Sequence, residues 1–181
     1  MLKKVAALIL LVGLCLPYGC DIRPITGVWH DVPTILLLGL PVLATVIYVL
    51  HTLLPILAAF HERHARTLHG IFRVVYFVLV GGYLAFAVTK RDGWPGLIET
   101  AIALVVTGVL AVWQQHRGTA AARLPLLLLT VAGVPEVAYL VGFLRDGSLQ
   151  IGGWVFSGGW VVAVIAEAMV LSASPPNPLG G

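Results

Sequence analysis

What most constrains this chain is the placement of its charges. No Asp, Glu, Lys or Arg occurs in residues 5–20, 32–61, 74–89, 100–116, 124–135 or 147–166. A helix needs about 20 mainly apolar residues to cross a hydrocarbon core of ~30 Å. With uncharged edges or edges carrying a single charge (Arg73, Glu99, Glu136 or Glu167) included, five of the six stretches reach that length, giving spans at 33–54, 71–89, 95–113, 124–144 and 151–171. Only 10% of the 181 residues are charged and 59% are hydrophobic, against roughly 25% charged in a soluble domain. A water-soluble globule with that much apolar side chain would lack polar covering, so the covering is lipid. The expected fold is all-α: a polytopic membrane bundle of six transmembrane helices, or five if the N-terminal segment is a cleaved signal.

The first stretch is ambiguous. Lys3 and Lys4 precede the apolar run at 5–16, and Pro17-Tyr18-Gly19-Cys20 follows, the charged, apolar and small-residue order of a signal peptide. Pro17 disfavours both a lipoprotein site at Cys20 and an ordinary cleavage site, so retention as a short first span is the leading expectation. Cleavage and lipid attachment at Cys20 stay open. The chain then divides into this segment at 1–20, a five-helix bundle at 21–173, and a loose Pro-rich tail at 174–181.

Basic residues favour the cytoplasmic side of a membrane. With the N-terminus inside, Lys3, Lys4, Arg63, Arg66, Arg73, Arg117 and Arg123 are cytoplasmic, while Arg23, Lys90, Arg91 and Arg145 are outside. Trp29, Trp94 and Trp154 then fall at the outer interface, where indole rings prefer to lie. The chain is expected in the cell membrane with both termini cytoplasmic. Pro41 and Pro55 can each kink a helix, which predicts a bend near Pro41 and an exit near Pro55.

An ionisable group inside a span costs roughly 2.5 to 3.5 kcal/mol at the bilayer centre, so three glutamates stand out as candidates for transport or proton binding. Glu99 lies near the outer edge of its span, within reach of Lys90 or Arg91. Glu167 lies near the inner end of the last span, at a depth where Arg73 could form an ion pair with it. Glu136 lies about 18 Å from the inner end of its span, with no basic residue at that depth, and follows Pro135, which cannot donate to the Val131 carbonyl. Small residues at four-residue spacing mark packing faces: Gly159 and Ala163 with Glu167, Ala103 with Glu99, and Gly81 with Ala85.

The histidines gather at the inner edge: His51, then His61, His64 and His69 in what reads as a loop, and His116. His61-Glu62-Arg63-His64 misses the zinc-protease pattern because Ala65 stands where the second histidine belongs. A metal or haem shared by His61, His64 and His116 is a minor reading, and no cofactor is expected. Phosphate-loop, dinucleotide and serine-hydrolase motifs are absent, and Ser157 has no histidine after it in the chain. The basic residues are too few and scattered for nucleic acid. The expected partners are the lipid bilayer and either a partner membrane subunit or a second copy. Two functions follow: a non-catalytic accessory or assembly component, or a small transporter or channel for protons or a solute using Glu136.

Overall fold

The computed structural model describes residues 1–17, 39–89, 94–116 and 119–173, with the side chains of all but residues 83, 84, 86–89, 94–97, 99, 100, 103, 107, 134–139, 142, 143 and 146. The described residues form six helices: α1 Leu2–Cys15, α2 Leu40–Leu53, α3 Pro55–Thr89, α4 Trp94–His116, α5 Ala120–Asp146 and α6 Ile151–Ala173. The fold is an all-α bundle, and the last four predicted spans lie within α3 to α6. The upstream part of the second span, Cys20 and the C-terminal tail lie outside the described residues.

Two helix ends share one cause. A residue before proline is pushed out of the helical region by the pyrrolidine ring. Leu16, before Pro17, has φ −90° and ψ 156° and ends α1. Leu54, before Pro55, has φ −111° and ψ 108° and ends α2. Pro55 then opens α3, a position where its missing N–H costs nothing.

The chain turns at Leu54 through 112° between α2 and the first part of α3. Pro41 sits in the first turn of α2, so the sharp bend is at Leu54. The segment expected as a loop after Pro55 is helical, because Ala58, Ala59, Glu62, Arg63, Ala65, Arg66 and Leu68 are all good helix formers. α3 is consequently 35 residues long.

α5 is the central helix, packed against α2, α3, α4 and α6. Every residue from Leu124 to Gly133 is buried, the signature of a helix apolar on all sides. Gly133 leaves room for the Trp160 ring, which would collide with any Cβ there. The Trp160 indole N–H donates to the Leu129 carbonyl at 2.8 Å. α5 runs without interruption through Pro135 and ends before Gly147, whose φ of 66° is a left-handed cap.

α1 lies antiparallel on α6. Its inward residues Ala6, Ala7, Leu10, Gly13 and Leu14 follow helical spacing. The backbones approach closely because glycines stand at the contacts. A Cβ on Gly13 would lie 2.8 Å from the Phe156 backbone, and one on Gly159 would lie 2.8 Å from Ile9 Cγ2. At the far end the Gly152 N–H donates to the Pro17 carbonyl at 2.9 Å. Ala163 is fully buried one turn beyond Gly159.

The outer surface is apolar in stripes. Ile98, Ile102, Val105, Val109 and Val112 of α4 are exposed and recur every three or four residues, so they share one face. Ile71, Val74 and Val78 do the same on α3, and Val161, Ile165 and Met169 on α6. Water would not support such faces; hydrocarbon does. Among the described residues, α6 is long and apolar enough to cross a membrane, and α2 with Pro55–Gly82 qualifies as one broken crossing.

The Gly81 and Ala85 face, expected to approach another helix, is exposed, with open space around Gly81. This contrast gives a test. Gly13→Ala should destabilise the protein by about 1 to 3 kcal/mol, the usual range for overpacking. Gly81→Ala should be neutral or stabilise by up to about 1 kcal/mol through helix propensity. In one detergent the unfolding midpoint should fall for Gly13→Ala and stay or rise for Gly81→Ala.

Candidate functional site

The antiparallel register of α1 and α6 brings Lys3 to the level of Glu167. The Lys3 ammonium and a Glu167 carboxylate oxygen form an ion pair at 2.5 Å, with the Glu167 side chain 3% exposed and that of Lys3 32% exposed. The Tyr48 hydroxyl, on α2, donates to the other Glu167 oxygen at 3.3 Å. Both carboxylate oxygens are therefore satisfied, as a buried carboxylate requires. Glu167 takes Lys3 and Tyr48 as partners instead of Arg73. Arg73 is exposed on α3, within electrostatic reach of His69 and Arg123.

Tyr48, His51 and Thr52 are three and four residues apart, so they occupy one face of α2. The turn at Leu54 folds the start of α3 back, and the His61 ring stacks on His51 with centroids 4.5 Å apart and planes at 30°. His61 is buried at 6% exposure. His51 Nδ1 and His61 Nδ1 are buried without a hydrogen-bond partner, and the buried Thr52 hydroxyl lies against that of Tyr48. Buried polar atoms of this kind are scarce in folded proteins, because each carries an uncompensated desolvation cost of about 1 to 3 kcal/mol. Four helices thus supply one polar cluster: a charged pair, a phenol and a hydroxyl, and two imidazoles with spare hydrogen-bonding capacity.

The other candidates are dispersed. The His64 Nδ1–H donates to the Phe60 carbonyl at 3.1 Å and its ring lies against Phe60. His116 is exposed in the last turn of α4. His61 therefore meets His51, not His64 or His116. Among the described residues no three His, Cys, Asp or Glu side chains gather around a common point. Glu99 and Ala103 fall on α4 and Glu136 on α5, but their side chains are outside the described set.

The Ser157 hydroxyl donates to the Gly153 carbonyl at 2.7 Å. A second buried polar contact joins α4 to α5, where Gln114 donates to the Thr130 hydroxyl at 3.4 Å and keeps a buried Oε1 without a partner.

Sequence reasoning missed Lys3, Tyr48 and Thr52. The placement of His51 and Thr52 three and four residues after Tyr48 in a mostly apolar helix was the available signal. Lys3 was masked by its resemblance to the charged start of a signal peptide.

The chain is 30% identical over 95 residues to the probable glucose uptake protein GlcU of Bacillus anthracis, covering 49% of this chain and 33% of that protein. Two Bacillus cereus proteins of the same name match over the same shares, at 30% and 28% identity. The chain thus spans about a third of the length of the curated relatives it matches. No protein-family model and no solved structure matches it.

The ion pair makes a quantitative prediction. Removing one partner of a fully buried pair costs about 3 to 5 kcal/mol, and the partial exposure of Lys3 lowers this toward about 1 to 3 kcal/mol. Lys3→Met should therefore lower the detergent unfolding midpoint, and the double variant Lys3→Met/Glu167→Met should recover most of the loss. Additive losses in the double variant would show that the two residues do not interact. With lipid-facing stripes on its helices and a partial likeness to proteins named for glucose uptake, the chain is a helical membrane protein.

Proposed function

We propose that this protein is a membrane transporter for a small polar solute of the sugar class, and that the Lys3, Glu167, Tyr48, His51, Thr52 and His61 cluster is where solute or proton is held. The observation that carries this reading is the pair of unpartnered buried ring nitrogens on His51 and His61 beside a charged pair. Sugar hydroxyls both donate and accept, so one such solute offsets both orphaned groups at once. The likeness to proteins named for glucose uptake supports the same direction, and makes the transporter the better supported of the two expected functions.

We propose that the working unit contains a second copy or a partner membrane subunit. In this reading the chain sits in the cell membrane with both termini cytoplasmic. Glu136, mid-way along α5, is the candidate proton carrier, with Glu99 and Glu167 toward the two ends of the path.

The test is uptake of labelled glucose into proteoliposomes of the full chain, with and without an inward proton gradient. Saturable accumulation above protein-free vesicles is expected. His51→Ala and Glu167→Gln should each reduce it about tenfold, as the loss of one or two hydrogen bonds to a solute implies. Glu136→Gln should abolish the response to the proton gradient, and an unchanged response would discard Glu136 as carrier. Wild-type flux equal to that of empty vesicles would overturn the transporter reading.

A further inference from the structure

An open groove of about 840 Å³ lies between the first half of α3 and the N-terminal turn of α5. Arg63, Arg66 and Thr67 line one wall, and Thr119 and Arg123 the other. Three arginines face it against a single carboxylate, Glu62. A guanidinium offers a planar fork of donors matched to phosphate oxygens. The first turn of α5 also borders the groove through Ala120 and Ala121, and the positive end of a helix dipole adds to the same sign. Further along, Arg73 and Arg123 both act electrostatically on His69, which extends the basic surface by two turns of α3.

Position argues for the source of the phosphate. The groove's α3 wall ends a few residues before the exposed Ile71, Val74, Phe77 and Val78. The basic surface therefore borders the lipid-facing apolar surface directly. A molecule with a phosphate in the groove and hydrocarbon along α3 would satisfy both.

We propose that this groove binds a phosphate group, and that its source is the headgroup of an anionic phospholipid whose acyl chains lie on the exposed face of α3. The groove is separate from the buried polar cluster, so the proposal is independent of the transport reading. It predicts a bound lipid selected by headgroup charge on top of the general attraction of basic residues to anionic membranes.

The test titrates the detergent-solubilised full chain with mixed micelles containing phosphatidylglycerol or phosphatidylcholine. Bound lipid is counted by native mass spectrometry. Phosphatidylglycerol should be retained at least about tenfold more strongly. Each of Arg63→Gln and Arg66→Gln should lower that retention about fivefold, the usual contribution of one basic residue near an anionic surface. Arg145→Gln, at the other end of α5, should leave it unchanged. If Arg66→Gln loses helicity by circular dichroism, the Arg63→Gln variant, altering an exposed side chain, carries the test.

Equal retention of the two lipids, or full retention in the Arg63 and Arg66 variants, would overturn the proposal. Millimolar inorganic phosphate should not displace the lipid. If it does, and its own binding is lost in the same variants, the groove is a site for free phosphate and the lipid assignment falls.

Discussion

The close approach of α1 and α6 is the contact on which the rest of the arrangement depends. Between helices in hydrocarbon there is little hydrophobic drive, so association rests on van der Waals packing and polar contacts, and small residues let backbones come near. Gly13, Gly152 and Gly159 stand where a side chain would collide with the opposite backbone or with Ile9. That register aligns the start of α1 with the end of α6 and places an ammonium against a carboxylate that is almost wholly buried. Shifting the pair by one turn, about 5.4 Å, would separate Lys3 from Glu167 and leave the carboxylate buried without a counter-charge.

The second determinant is the proline at the head of α3. By forcing Leu54 out of the helical region, it turns the chain and stacks His61 on His51. The same fold-back carries Arg63 and Arg66 to the beginning of α5, forming the basic groove. One local backbone constraint thus generates two chemically different places: a polar cluster among α1, α2, α3 and α6, and a cationic surface between α3 and α5. A bundle with helices joined by ordinary loops would have kept these residues apart.

Much of the architecture was legible in the sequence, because long stretches without charge leave a membrane chain little choice but to be helical. The spans at 95–113, 124–144 and 151–171 lie within α4, α5 and α6, and the Gly159, Ala163 and Glu167 spacing lies on the side of α6 that meets α1. The partner of Glu167 was not legible. Arg73 matched it in depth, but depth does not specify which helices are neighbours, and α1 had been weighed as a removable signal. The helix at Pro55 was read as a loop because its polar residues outweighed their high helix propensity. The Gly81 and Ala85 spacing is the converse case: small residues permit close packing without requiring it.

α1 packs antiparallel on α6, and we propose that it is retained as a permanent member of the bundle. A Cβ at Gly159 would lie 3.3 Å from the Ile9 Cβ, close to the separation of about 3.5 to 4.5 Å that a disulfide spans. The direct measurement is oxidation of an Ile9→Cys/Gly159→Cys chain in native membranes, with Cys15 and Cys20 replaced by Ser, followed by intact and peptide mass analysis. The account predicts an intramolecular disulfide in a chain that still carries Lys3. A chain lacking its first residues, or one in which both introduced thiols remain free under oxidation, would contradict it.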